Sequence, residues 1–348
     1  MDALGTVVAI VRRHRLHVGI ALFVGVFAAV FYVAVVFDGN SVVAPQRLSI
    51  AAVVYPGSTT IHVAQDRGYF EAEGLHVTIH QFASGRACLN AVRSGKADVA
   101  TVAEIPIALA AMQKEPIAVI ATIFSGQKDH AVIARRDHGI TQPTHLKGKR
   151  VGFVPGTTSA FLMDMVLGSA GLSRADVRSV ELAADAIVPA LLSGEVDAVS
   201  TWHPLLQQLQ KELGLRGLTF DAFDVQGLFS LTVNVVVKRE FLAANPEPTR
   251  RLLRALARAA DFVERNPQEA QRTTARYSPL SEALLRELWG GYRFDIRLDQ
   301  SLQIALEDVS RWAIRHRLAE SSEVPDFRAF IAADALRQVK PEAISVIR

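Results

Sequence analysis

The feature that most constrains this chain is a repeat with a spacing of 99 residues. The sequence Tyr55-Pro56-Gly57-Ser58-Thr59-Thr60 is matched by Val154-Pro155-Gly156-Thr157-Thr158-Ser159. At the same offset, Ser94-Gly95-Lys96-Ala97-Asp98 is matched by Ser193-Gly194-Glu195-Val196-Asp197. Because both pairs share one offset, chance explains them poorly. Two copies of one α/β unit predict two similar lobes that face each other, and a cleft between lobes is where a small ligand usually binds.

The composition sets the size of the fold and argues against some functions. The chain has 348 residues, 50% of them hydrophobic and 21% charged, which is enough for one large or two ordinary domains. The net charge is only +3 and no long basic block stands out, so nucleic-acid binding is not expected. The ten histidines are scattered without the spacing of metal ligands. We expect no metal, no cofactor and no nucleic-acid partner.

The N-terminal region predicts a membrane segment. Residues 18–37 carry no charged side chain, and 20 helical residues span roughly 30 Å, the thickness of a bilayer core. Basic residues precede this run, so residues 1–17 are expected in the cytoplasm and the rest on the periplasmic side of the inner membrane. The alternative is a cleaved signal peptide, with a weak cleavage site at residues 42–44. We favour the anchor, because the run is longer than a usual signal peptide core.

Sequence motifs give no sign of an enzyme. The turn Gly156-Thr157-Thr158-Ser159 lacks the Gly-Lys-Ser/Thr ending of a phosphate-binding loop, and zinc-protease, serine-hydrolase and dinucleotide patterns are absent. The single cysteine, Cys88, excludes an internal disulfide. It is interpreted as a small buried residue at a helix start rather than a catalytic thiol.

Strand and helix patterns alternate along most of the chain, which argues for mostly parallel sheets covered by helices. Strands are predicted at residues 48–54, 76–82, 99–102 and 117–124, with matching elements in the second copy. After a further strand at 231–237 the chain contains mainly amphipathic helices. We therefore expect a linker at 38–46, a first lobe from 47–127, a second lobe from 128–227, and a tail at 228–348 that completes the first lobe.

The hydroxyl residues of the two turns are candidate ligand contacts. Ser58-Thr59-Thr60 and Thr157-Thr158-Ser159 each lie at a predicted helix start, where free backbone N–H groups and a partial positive charge suit an anion. Helix capping alone would also explain them. Because they occupy matched positions of a repeat, a shared ligand site is the preferred interpretation. Ser84-Gly85-Arg86 is a third such start. Arg86 could add a positive charge for an anion, but a solvated surface arginine is the preferred interpretation.

Trp202 and Glu104, which follow the two aspartate turns, can each be interpreted in two ways. Trp202 follows the second turn, and its ring could stack on a ligand, or it could pack between the lobes or in the core. Glu104 lies near the matched position of the first copy and could accept a ligand amine. It could also cap the helix that Pro106 begins, which is the simpler explanation.

Several segments together resemble the substrate-binding proteins of nitrate, sulfonate and taurine ABC importers, a group that includes thiamine-pyrimidine-related proteins. The resemblance covers roughly residues 48–237 and rests on 68–77, the two Ser-Gly-x-x-Asp turns, 146–152, the turn at 155–157, and Trp202-x-Pro204. It implies an α/β, two-lobed, type II periplasmic-binding-protein fold, here with an N-terminal transmembrane helix. The Cys-rich motif of the pyrimidine-synthesising enzymes of the group is absent, so that activity is not expected.

The resemblance also implies which positions face the ligand. They are the first turn, the helix start after the second strand, the segment after the third strand, the second turn and the tryptophan, namely Tyr55, Gly57, Ser58, Thr59, Ser84, Gly85, Thr101, Glu104, Gly156, Thr157, Thr158, Ser159 and Trp202.

The combined expectation is a monomeric, membrane-tethered solute-binding protein. It would capture a small polar or anionic ligand and deliver it to an ABC permease with its ATPase. Closure would occur about crossing segments near 124–130 and 227–232. The alternative is a membrane-tethered sensing module that reports the ligand to a signalling receptor, and an enzyme on the same fold is a third possibility.

Overall fold

A computed structural model describes residues 46–127, 129–224 and 230–345. The predicted tail 1–17 and membrane segment 18–37 therefore lie outside the described residues. Within the described ranges, no helix is both long and apolar enough to cross a bilayer.

The described strands form two sheets. The strands are β1 (Gln46–Val53), β2 (Leu75–Phe82), β3 (Val99–Val102), β4 (Ile117–Gly126), β5 (His130–Arg135), β6 (Arg150–Phe153), β7 (Arg178–Glu181), β8 (Ala198–Trp202), β9 (Phe220–Phe223), β10 (Leu231–Lys238) and β11 (Tyr292–Arg293). The larger sheet has the order β11-β4-β10-β3-β1-β2 and the smaller the order β7-β6-β8-β5-β9.

Helices cover both sheets, and each sheet with its helices forms one lobe. The described α-helices are α1 (Thr59–Asp66), α2 (Tyr69–Ala72), α3 (Gly85–Arg93), α4 (Glu104–Met112), α5 (Thr158–Ser169), α6 (Ile187–Ser193), α7 (Leu205–Leu215), α8 (Arg239–Ala244), α9 (Pro246–Arg265), α10 (Pro267–Tyr277), α11 (Glu282–Leu288), α12 (Gln300–Arg315) and α13 (Asp334–Val339). Helices α9 and α10 pack against α1, and α12 packs against α4, so the C-terminal tail covers the first lobe.

The sheets are mixed, whereas the alternating pattern predicted mostly parallel ones. Strand β1 is parallel to β2 and β3, and β6 is parallel to β7 and β8. Strand β10 runs antiparallel to β3 and β4, and β5 runs antiparallel to β8 and β9. The reason is the path of the chain. Strands β5 and β10 enter their sheets from the other lobe, so they begin at the edge where the parallel strands end.

The repeat has a structural counterpart in its aspartate turns. The Asp98 carboxylate accepts from the Ser49 backbone N at 2.8 Å and from its hydroxyl at 2.7 Å, which ties β3 to β1. The Asp197 carboxylate accepts from the Arg150 backbone N at 2.8 Å and from its guanidinium at 2.7 Å, which ties β8 to β6. Each aspartate turn therefore joins the equivalent pair of strands in its own lobe.

Candidate functional site

A narrow cleft lies between the lobes, where strands of both sheets end or begin. Its lining comes from both lobes and is mostly apolar. The lining residues are Val53, Tyr55, Ser84, Gly85, Arg86, Ala103, Pro106, His130, Thr157, Thr158, Trp202, Leu231 and Val233.

The turn of the second lobe presents hydroxyls to this cleft. Gly156 adopts a left-handed conformation (φ +67°), which favours glycine and turns the chain into α5. The Thr157 hydroxyl donates to the Val154 carbonyl at 2.8 Å and accepts from the Ser159 backbone N at 3.3 Å, so it caps α5. Thr158 also lines the cleft, and among the described residues its hydroxyl makes no hydrogen bond. The Thr158 hydroxyl therefore keeps its hydrogen-bonding capacity at the cleft.

The turn of the first lobe directs its hydroxyls into the protein interior. The Ser58 hydroxyl lies 3.2 Å from the Thr101 hydroxyl, and the Thr59 hydroxyl lies 2.8 Å from that of Thr274 in α10. The Thr60 hydroxyl donates to the Ile123 carbonyl at 3.3 Å. All three side chains are fully buried. Of this turn, only Tyr55 reaches the cleft.

The start of α3 supplies the first lobe's polar contact to the cleft. The Ser84 hydroxyl accepts from the Ala87 backbone N at 3.2 Å and caps the helix. A Cβ on Gly85 would lie 3.2 Å from the Ala103 backbone N, so the small residue allows a close approach to the end of β3. Arg86 Nη1 donates to the Pro155 carbonyl of the other lobe at 2.7 Å. Arg86 therefore bridges the lobes at the cleft.

Trp202 and His130 form the wall of the second lobe. Trp202 ends β8, is buried, and has its ring centroid 6.5 Å from that of His130, the first residue of β5. Burial lowers the pKa of His130 to about 3, with a smaller contribution from the nearby His203. Burial likewise lowers the pKa of His203 to about 4. Both imidazoles are therefore neutral at physiological pH.

Two buried carboxyls lie behind the lining, where the chain passes between the lobes. Burial raises the pKa of Glu104 to about 7, and a Glu104 oxygen accepts from the Thr232 backbone N at the start of β10. Burial also raises the pKa of Asp129 to about 6, and Asp129 accepts from the Tyr292 hydroxyl at 2.5 Å. The second oxygen of Glu104 is buried without a partner among the described residues, whereas Asp129 also interacts with the Tyr55 hydroxyl. The Glu104 and Asp129 carboxyls therefore stabilise the segments that pass between the lobes, and they do not line the cleft.

The predicted site residues therefore separate into two groups. Those on the cleft are Tyr55, Ser84, Gly85, Thr157, Thr158 and Trp202. Those that do not line it are Gly57, Ser58, Thr59, Thr101, Glu104, Gly156 and Ser159. Sequence reasoning did not select Arg86 or His130. Arg86 directly follows the predicted helix start, which was the available signal, whereas nothing in the repeat marks His130.

The described residues contain no group of three or more metal-ligating side chains. Cys88 is fully buried, and burial raises the pKa of its thiol to about 12. This thiol is protonated and unreactive at neutral pH.

Comparison with known proteins places the chain in a family. The sequence profile described as "NMT1/THI5 like" matches residues 55–270. The chain belongs to the NMT1/THI5-like family. A Brucella abortus (strain 2308) protein, named only as a binding protein, is 26% identical over 66% of this chain and 71% of its own length. A 4-amino-5-hydroxymethyl-2-methylpyrimidine phosphate synthase of Aspergillus parasiticus is 26% identical over 62% of this chain and 65% of its own length. The family thus holds proteins named as binders and as synthases.

The fold is also shared with solved structures. The alkanesulfonate-binding protein SsuA of Xanthomonas axonopodis pv. citri, bound to MOPS, superposes with a TM-score of 0.71 at 20% identity. The match covers 83% of this chain and 99% of SsuA. At this identity the similarity establishes the two-lobed periplasmic-binding-protein fold, which agrees with the fold implied by the sequence motifs.

Proposed function

We propose that this chain is an extracytoplasmic solute-binding protein that captures a small organic anion between its lobes for an ABC importer. The observation that carries the proposal is the meeting of two helix N-termini and Arg86 at one cleft whose remaining lining is mostly apolar.

The polar part of the cleft suits an anion. Helix α3 begins at its Ser84 cap in one lobe and α5 at its Thr157 cap in the other, and both caps line the cleft. Helix N-termini carry unpaired backbone N–H groups and a partial positive charge, which favour negative ligands. Among the described lining residues, Arg86 is the side chain with a full charge at neutral pH. An anionic group is therefore the best-matched ligand chemistry.

The apolar part of the cleft favours an organic ligand over nitrate. Val53, Pro106, Leu231 and Val233 line it from the first lobe and Trp202 from the second. Covering this surface with a hydrocarbon body is favourable, at about 25 cal/mol per Å² of apolar area buried. A bare nitrate would leave the surface uncovered. An organic sulfonate, with a charged head and an apolar body, uses both parts of the cleft.

A binding role is supported over catalysis by the position of the ionisable groups. The carboxyls of Glu104 and Asp129 lie behind the lining and brace the crossing segments. The Cys88 thiol is buried and protonated. The importer role, a permease with its ATPase as partners, the periplasmic location and the monomeric state are proposed with the solute-binding function, which the SsuA fold supports.

The test is calorimetric titration of the full-length protein in detergent micelles with 1-butanesulfonate and with nitrate. We expect butanesulfonate to bind more tightly than nitrate. Arg86→Gln should weaken its binding roughly tenfold or more, because a hydrogen bond to a charged group contributes about 1.5–3 kcal/mol. The matched control is Arg178→Gln, an exposed arginine at the far edge of the smaller sheet. Equal binding of nitrate, or an unchanged affinity in Arg86→Gln, would contradict the proposal.

A further inference from the structure

We infer that Trp312 of the first lobe and Asp164 of the second form a clasp that holds the two walls of the cleft together. Trp312 is then a positioning residue, which contacts no ligand but sets how often the cleft is closed. The inferred effect on affinity rests on the proposed solute-binding function, whereas the effect on lobe closure does not.

The clasp consists of a hydrogen bond and an aromatic contact. The Trp312 indole Nε1 donates to Asp164 Oδ2 at 2.8 Å. The Trp312 ring also meets the Phe161 ring edge-on, with centroids 5.2 Å apart and planes at 84°. Trp312 belongs to α12 of the C-terminal tail, whereas Phe161 and Asp164 lie on successive turns of α5. The contact therefore joins elements of different lobes.

The second lobe holds its half of the clasp in place. Arg174 donates to both carboxylate oxygens of Asp164, at 2.7 Å from Nε and 2.9 Å from Nη2. The Asp164 side chain is only 8% exposed. The Arg174 guanidinium thus fixes the Asp164 carboxylate within the second lobe. Little side-chain entropy is therefore lost when the Trp312 indole N–H binds to this carboxylate. His316, one turn beyond Trp312, lies 3.7 Å from the same carboxylate.

Two continuous helices connect the clasp to the cleft. Helix α5 begins with Thr158 at the cleft, and Phe161 and Asp164 follow on the same helix. On the other side, α12 packs against α4, whose first turn places Pro106 in the cleft lining. Helices α4 and α5 also contact each other. The distance between the cleft walls is therefore coupled to the Trp312–Asp164 contact through rigid elements.

This coupling has a consequence for every ligand of the cleft. The apparent dissociation constant equals the intrinsic one divided by the fraction of protein in the binding-competent state. A contact outside the cleft that favours closure raises this fraction equally for all ligands. Loss of the clasp should therefore weaken different ligands by the same factor, whereas loss of a ligand contact should not.

The direct test measures the distance between the lobes in the full-length protein without ligand. Spin labels are attached at Leu215→Cys on α7 and Ile304→Cys on α12, which are exposed at 73% and 51%. Cys88 is buried and stays unlabelled. Trp312→Phe keeps an aromatic ring against Phe161 but removes the indole donor. We expect the interlobe distance distribution to shift and broaden relative to the wild type.

The matched control is Trp289→Phe, the same substitution in another tail tryptophan, which packs on Phe294 rather than on the second lobe. It should leave the distribution unchanged. Asp164→Asn provides a second variant and should shift the distribution in the same direction as Trp312→Phe. Titration with 1-butanesulfonate and with MOPS should then show roughly tenfold weaker binding of both to Trp312→Phe. An unchanged distance distribution in Trp312→Phe and Asp164→Asn would overturn the clasp, whether or not either sulfonate binds.

Discussion

The two Pro-Gly-hydroxyl turns share a sequence pattern but use their hydroxyls differently. In the second lobe, Thr157 and Thr158 line the cleft. In the first lobe, Ser58 and Thr59 are fully buried and bond to Thr101 and Thr274. A repeated motif therefore marks where a turn lies, but it does not determine which of its side chains face a ligand.

The difference follows from a shift in the hydrogen-bonding register. In each lobe, one hydroxyl of the turn bonds to the next parallel strand. In the first lobe this hydroxyl belongs to the first of the three hydroxyl residues of the turn, Ser58, which contacts Thr101. In the second lobe it belongs to the third, Ser159, which donates to the Ser200 carbonyl at 2.7 Å. The two residues before this anchor are Thr157 and Thr158 in one lobe but Pro56 and Gly57 in the other. Of the two turns, only that of the second lobe therefore places threonine hydroxyls at the cleft.

The C-terminal tail adds a second difference. Helix α10 packs on α1 and supplies Thr274, the partner of the Thr59 hydroxyl. The helix after the first turn is thus covered by a segment that lies outside the repeat. Because α10 covers α1, the hydroxyls of the first lobe's turn support the fold and do not face the cleft.

The largest predicted effect compares the matched residues Glu104 and His203, since both are buried and both favour their neutral form. The pKa of Glu104 is raised from 4.5 to about 7, so the folded state loses stability as pH rises through this window. The pKa of His203 is lowered from 6.5 to about 4, so stability is lost as pH falls through that window. Each effect amounts to about 3 kcal/mol when the charge is fully formed.

Urea unfolding of the full-length protein from pH 4 to pH 8.5 measures both effects. Glu104→Gln should remove a loss of stability that builds up as pH rises from 4.5 to about 7, so its curve should rise more steeply with pH than that of the wild type. His203→Gln should remove a loss that builds up as pH falls from 6.5 to about 4, so its curve should rise less steeply. Asp129 adds to the first loss, and His62 and His130 add to the second, in all variants. Parallel stability curves for wild type and Glu104→Gln would show that this carboxyl is not buried as described.

The next prediction compares the same substitution in the two turns. A Cβ on Gly57 would lie 2.5 Å from Val233 Cγ2 and 2.8 Å from Tyr55 Cδ1, so Gly57→Ala should destabilise by about 2 kcal/mol through overpacking. Gly156→Ala should cost about 1 kcal/mol, because its φ of +67° disfavours side chains. Its Cβ would meet the flexible Arg86 side chain at 3.3 Å, so binding of butanesulfonate should also weaken. Urea unfolding and calorimetric titration of both variants test the predicted order of their stability losses. A larger loss of stability in Gly156→Ala than in Gly57→Ala would contradict this order.

The smallest predicted effect concerns fluorescence. The sequence alone predicts that a ligand-induced emission change comes mainly from Trp202, because Trp289 and Trp312 lie in the tail. The structure places Trp312 in contact with Asp164 of the second lobe, so it should report closure as well. With butanesulfonate, Trp202→Phe should therefore leave part of the emission shift, and Trp202→Phe/Trp312→Phe should remove nearly all of it. Loss of the whole shift in Trp202→Phe alone would assign the signal to the cleft.

Local patterns predicted the elements better than the contacts between them. The strand predicted at 99–102 matches β3, and the return strand predicted at 231–237 lies within β10. The antiparallel direction of β10 was not predicted, because it depends on the path between the lobes. The Thr59–Thr274 contact spans 215 positions, and the Arg86–Pro155 bond forms only when the lobes meet. Such contacts have no local signal in a single sequence.

The central claim is that the second lobe's turn binds the ligand while the first lobe's turn supports the fold, and one paired measurement tests it. Thr158 and Thr59 occupy matched positions, and valine keeps the β-branched shape while removing only the hydroxyl. Calorimetric titration with butanesulfonate and urea unfolding are applied to Thr158→Val and Thr59→Val. We predict that Thr158→Val weakens binding about tenfold with little change in stability, and that Thr59→Val lowers stability by about 1 kcal/mol with affinity nearly unchanged. Equal losses of affinity in both variants, or a loss in Thr59→Val alone, would contradict the account.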